Sequence, residues 1–126
     1  MMRILAEATV TGVPESVNHI WRSSRGRFYK TTKAKDFEEL LVRVLHDNYK
    51  KNFKGPYKCD VILDIIIERK TRRKWDLDNR IKSIQDCLAP AGIIENDCQV
   101  KTIRADKEEA ETDRTTVRVL EYEEWR

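Results

Sequence analysis

The sequence predicts a single α+β domain in which a small mixed β-sheet carries two main helices. Three observations predict it. The hydrophobic period switches between two and about 3.6 along the chain, as it does where strands and helices alternate. The 126 residues suit one domain, and no Gly/Ser- or Pro-rich linker divides them, so the domain spans residues 1–126. The hydrophobic share of 40% can build one core, while a charged share of 37%, well above the usual quarter, implies a densely ionic surface. No internal repeat or low-complexity segment interrupts this pattern.

Residues 3–11 alternate and favour β-structure, which predicts a strand; Gly12-Val13-Pro14-Glu15-Ser16 then breaks it. Residues 20–22 and 27–29 flank Ser23-Ser24-Arg25-Gly26, a short hairpin or a loop with a turn. Thr31 or Thr32 can cap a helix over residues 35–51, where Phe37, Leu40, Leu41, Val44, Leu45 and Tyr49 recur at helical spacing. Gly55-Pro56 closes that section. Residues 58–67 read as a strand with Val61, Leu63, Ile65 and Ile67 on one face and Ile62 and Ile66 on the other, which predicts a central strand covered at least partly on both sides.

A second helix is expected from Asp76 or Leu77 to residues 88–91. Leu77, Ile81, Ile84, Leu88 and Ala91 form its inner stripe, while Asp78, Lys82 and Gln85 face away from the core. Pro90 and Gly92 end it. Residues 93–97 form a turn, residues 99–105 and 115–122 the last two strands, and residues 107–113 the polar connection between them.

A net charge of +3, from 25 basic and 22 acidic residues, does not by itself indicate a nucleic-acid partner. The distribution is more telling: bases concentrate around residues 22–35 and 69–74, acids near 107–113 and 121–124. Cys59, Cys87 and Cys98 are odd in number and lack C-x-x-C spacing, and His19 and His46 stand far apart, which argues against a disulfide framework or a zinc site. With no signal peptide and no apolar run of membrane-spanning length, the expected location is cytoplasmic.

The most informative stretch is Asp76-Leu77-Asp78-Asn79-Arg80-Ile81-Lys82, directly after Arg69-Lys70-Thr71-Arg72-Arg73-Lys74. Structurally, Asp is a favoured N-cap, acids suit the positive end of a helix dipole, and Asp78 with Lys82 is an ordinary i,i+4 pair. Yet one Asp suffices for capping, whereas here two occur with Asn79 beside them. Glu95, Asn96 and Asp97 also follow just past the helix, and the cationic run is adjacent. Bases attract phosphate, while clustered acids repel it unless a hard cation such as Mg²⁺ sits between them. The combination points to metal-dependent chemistry on a nucleic-acid backbone, with Lys82 placing a fixed positive charge on the scissile phosphate. Bringing Asp97 to Asp76 requires the chain to fold back.

The pattern Arg73-Lys74-Trp75-Asp76-Leu77-Asp78-Asn79, then Lys82, then Ala91-Gly92-Ile93-Ile94-Glu95-Asn96-Asp97 and Gln99-Val100 resembles the RusA-type Holliday junction resolvases. Pro14, Asn18 and Arg25-Gly26-Arg27 resemble the family's N-terminal segment more loosely. The resemblance implies a RusA-like fold, Asp76, Asp78 and Asp97 as metal-binding acids, and Lys82 as an essential catalytic lysine. It further implies a bacterial or phage-encoded homodimer that resolves four-way DNA junctions by paired nicks, using Mg²⁺ or Mn²⁺. Arg25, Arg27, Arg69, Lys70, Arg72, Arg73 and Lys74 are the candidate DNA contacts. Many members carry two adjacent acids in the loop, whereas this chain has Asn96-Asp97, which leaves open whether Glu95 compensates.

Symmetry agrees independently, since paired cuts in a two-fold junction need two equivalent sites and a domain this small supplies one. Trp21, Trp75 and Trp125 are candidates for that dimer interface or for stacking on bases, against the plainer reading of core or edge packing. Two other functions fit the sequence: a nucleic-acid-binding module without catalysis, and a branched-DNA nuclease of broader preference that also cuts forks and flaps.

Overall fold

In the computed structural model, which describes residues 2–16, 21–24 and 27–123, the strands order themselves around β4. The elements are β1 (Ile4–Thr11), β2 (Trp21–Ser24), β3 (Arg27–Lys30), α1 (Thr32–Tyr49), β4 (Val61–Arg69), α2 (Asp78–Gln85), a 3₁₀ turn (Asp97–Gln99), β5 (Val100–Glu109) and β6 (Arg114–Glu121). β1, β6, β4 and β5 lie side by side in that order, with β4 and β5 parallel and the other neighbours antiparallel; β2 and β3 form a separate hairpin. The expected α+β domain with a small mixed sheet and two helices is what forms.

Period-two alternation in each strand produces rows of side chains across the sheet. Ala6, Val119, Leu63 and Ile103 make one row, Ala8, Val117, Ile65 and Ala105 a second, and Val10, Thr115, Ile67 and Lys107 a third. The first three members of each row are buried, as are Ala34, Phe37, Leu41, Leu45 and Tyr49 at three- and four-residue spacing on α1. Ile84, Cys87, Leu88, Ala91, Ile93 and Ile94, from α2 and the turns after it, complete the core. Each row loses its cover at β5, whose residues are half-buried or exposed.

Four expectations need correction or narrowing. α1 begins at Thr32 because Thr31 is the cap, its hydroxyl accepting from the Ala34 N–H at 3.2 Å. α2 is shorter than its apolar stripe, and the chain continues to residue 91 in turns such as Cys87 N–H to the Ile84 carbonyl. Residues 107–109 belong to β5, paired with Ile67, Glu68 and Arg69, so the polar connection shrinks to residues 110–113. Finally, the cover on the second face of β4 is confined to Ile62, which is buried, and Ile66, which is half-buried; the same face carries the neighbouring charges Glu7, Arg118, Asp64 and Arg104, all exposed or half-exposed.

The β5–β6 connection passes over the C-terminal end of β4 and fixes that end. The Ala110 N–H donates to the Arg69 carbonyl (3.1 Å), the Lys70 N–H to Asp113 Oδ1 (2.8 Å), and the Gly12 N–H to the Asp113 carbonyl (2.9 Å). Gly12 takes φ +97°, where a side chain is strained, so glycine suits the end of β1. The basic segment starts from this anchored end.

Candidate active site

Arg69, the last residue of β4, and Lys70, Arg72, Arg73 and Lys74 gather at one end of the sheet as expected. Arg25 lies outside the described residues; Arg27 sits in β3, with its side chain likewise outside them. Trp75 is half-buried against the core, and its ring is already occupied by cations. The guanidinium carbons of Arg69 and Arg80 stand 5.4 and 5.5 Å from its centroid, and the Lys107 ammonium 5.4 Å. Lys107 also donates to the Trp75 carbonyl (2.9 Å), and Arg80 to that of Pro14. The ring is therefore a platform for protein cations. Trp125 lies outside the described residues, as does the Trp21 side chain.

Asp76 and Asp78 are exposed where the basic segment enters α2. The cap position is Leu77, without a side-chain cap, so neither aspartate is used for capping. Asn79 Nδ2 donates to Asp76 Oδ2 at 3.2 Å and orients that carboxylate. The expected Asp78–Lys82 pair is not formed. Lys82 Nζ instead donates to Asp86 Oδ1 at 2.6 Å, one turn further on. That hydrogen bond and then the Asp86 charge raise the Lys82 pKa above its ordinary value; burial lowers it by less, and the Asp97 charge adds the smallest upward push.

Asp97 therefore does come back to α2, within electrostatic reach of Lys82. Its seat is the 3₁₀ turn, capped by Asn96, whose Oδ1 accepts from the Cys98 N–H (2.9 Å). Gln99 holds the turn from the other side: its Oε1 accepts from Glu95 and Asn96 N–H, and its Nε2 donates to the carbonyls of Tyr57 and Cys59. Asn96 is thus a cap, a role that asparagine and aspartate fill equally well. Glu95 is paired with Lys58.

Among the described residues, no three acidic, histidine or cysteine side chains gather closely enough to hold a metal ion, so Asp76, Asp78 and Asp97 do not converge into one cluster. The donor chemistry still fits Mg²⁺. Asp78 and Asp97 form no salt bridge with a described residue, all the donors are hard oxygens, and Mg²⁺ takes one or two carboxylates while keeping water and phosphate as its other ligands. No role is assigned from sequence to Asp86 or Lys107, nor to Arg80 and Gln99, although both of these fall in the quoted motifs. Asp86 had a signal, being at i+4 from Lys82, whereas the other three depend on contacts more than 20 residues away in sequence.

The family model described as Endodeoxyribonuclease RusA matches residues 11–120. The chain belongs to the RusA family. The match includes the basic segment, Asp76, Asp78, Asp97 and Lys82. The Crossover junction endodeoxyribonuclease RusA of Aquifex aeolicus (strain VF5) is 31% identical over 85 residues, which cover 68% of this chain but 64% of that protein. The Crossover junction endodeoxyribonuclease rusA of Enterobacteria phage HK97 is 30% identical over 95 residues, covering 72% of this chain and 73% of that one. Among the described residues, no helix of this RusA-family chain is long and apolar enough to cross a membrane.

Proposed function

We propose that this RusA-family chain is a Mg²⁺-dependent, structure-specific endodeoxyribonuclease that resolves Holliday junctions by paired symmetric nicks, with Mn²⁺ as an alternative ion. The observation that carries the reading is that the exposed Asp76 and Asp78 follow directly on the basic segment at the start of α2, with Lys82 one turn on and the Asp97 charge within its electrostatic reach. Capping accounts for neither aspartate at the start of α2.

Asp78 and Asp97, with Asp76 beside them, are the residues that would hold the ion. When bound, such an ion activates water and stabilises the charge that develops on phosphate. Lys82 supplies a fixed positive charge toward the reacting phosphate, and Asp86 holds its ammonium in place at 2.6 Å. Asn79 orients Asp76. Arg69 through Lys74 attract the backbone on either side without reading its sequence.

One chain supplies one such site, so two symmetric cuts call for a C₂ homodimer on branched DNA. In a bacterium this work belongs to the cytoplasm, where the DNA is.

The test compares a four-way junction, a fork, a flap and a linear duplex at equal concentration with Mg²⁺. Junction cleavage well above the rest is the expected outcome. Equal cutting of forks and flaps would replace this reading with a broader nuclease, and binding without cutting would replace it with a binding module.

A further inference from the structure

We infer that the pocket enclosed by Arg69, Trp75 and Arg80 is a subsite for one backbone phosphodiester of the bound DNA, separate from the acids that carry the reaction. The inference rests on the nuclease reading and adds residues to it. The pocket has a volume of about 280 Å³, and its wall places four cations, Arg69, Arg73, Lys74 and Arg80, against one carboxylate, Asp76. Among the described residues none of those four cations forms a salt bridge. The Nε atoms of Arg69 and Arg80 are buried without a hydrogen-bond partner among the described residues, so the protein leaves both guanidinium groups incompletely satisfied.

Trp75 organises this charge. Its ring holds both guanidinium groups within 5.5 Å of its centroid, and Arg80 is fixed from the other side by the Pro14 carbonyl. Burial, and then the neighbouring Arg69 charge, lower the Arg80 pKa, and an anion between the two arginines would relieve that repulsion. Arginine pairs suit phosphate because their planar donors meet two of its oxygens at once. With four cations against one carboxylate in the wall, the chemistry that fits is the phosphodiester. Asp76 belongs both to this wall and to the acids at the start of α2, so the subsite adjoins the phosphate that reacts.

The test neutralises one phosphate at a time. Four-way junctions with a single methylphosphonate at successive positions around the cut are titrated with the full chain in EDTA, using wild type, Arg80→Gln and Arg69→Gln. One position near the cut is expected to weaken wild-type binding on the order of tenfold, the scale of a charge-assisted hydrogen bond. Arg80→Gln is expected to bind the unmodified junction correspondingly more weakly, with a salt slope lower by about one contact, and to be indifferent to that position. Arg69→Gln provides the same comparison if Arg80→Gln fails to fold. A flat wild-type profile, or variants that keep the wild-type penalty at every position, overturns the subsite and leaves the nuclease reading standing. A chain that binds no branched DNA overturns both.

Discussion

At the scale of single residues, the account turns on where Lys82 points. Its ammonium lies with Asp86 rather than with Asp78, and among the described residues Asp78 forms no salt bridge. Lys82→Ala should therefore lower the single-turnover cutting rate at saturating protein far more than it lowers affinity. A purely structural ion pair at this exposed position would instead appear as a stability change of only about 0.3–0.5 kcal/mol, with the bound enzyme cutting normally. Because Asp86 raises the Lys82 pKa above its ordinary value, the ammonium stays charged through neutral pH, and any rate loss from its deprotonation is confined to strongly alkaline pH. The cysteines give a second residue-level prediction. Burial, aided by the Glu38 and Asp86 charges, pushes the Cys87 thiol up to about 12, while Cys59 and Cys98 are exposed. An aromatic disulfide reagent should titrate two thiols in the folded chain and the third only on unfolding; three fast thiols would contradict the packing of Cys87.

At the scale of elements, the 3₁₀ turn that seats Asp97 depends on one side chain. Gln99 makes four hydrogen bonds to backbone groups at 2.8–3.2 Å, to Glu95 and Asn96 within the turn and to Tyr57 and Cys59 across it. Gln99→Ala should cost about 1–3 kcal/mol in urea unfolding and slow cutting by displacing Asp97; Asn96→Asp, which preserves the cap, should change neither by much. Unaltered stability and rate in Gln99→Ala would remove the turn from the account. The acids, Lys82 and the basic run were legible because their spacing is local and their chemistry is hard to explain by capping twice over. The Gln99 contacts were not legible, since both of its acceptors lie about 40 residues upstream. Polarity hid the end of β5: at a sheet edge wet on both faces, Asp106 through Glu109 extend as a strand with no apolar alternation to announce it. α2 was overread for the opposite reason, since turns after Gln85 bury Leu88 and Ala91 as well as a longer helix would.

At the scale of the whole molecule, one core and one copy each of Asp76, Asp78, Lys82 and Asp97 make a unit that, on the proposed reading, cuts once. Paired cutting requires two copies, so the protein in solution should show twice the mass of a single chain by light scattering, and hybrids of wild-type and Asp78→Asn chains should nick one strand of a junction and leave the other intact. A monomer that makes both cuts would contradict the symmetry argument.

The most direct measurement of the central claim incubates a four-way junction with the protein, with and without Mg²⁺, and resolves each labelled strand of the product. The account predicts symmetric nicks in two opposing strands with Mg²⁺, none without it, and none with Asp78→Asn or Asp97→Asn although both still bind, since losing a carboxylate removes a metal ligand and also repulsion against phosphate. Nicks that persist without a divalent ion, or wild-type cutting by either aspartate variant, would contradict it.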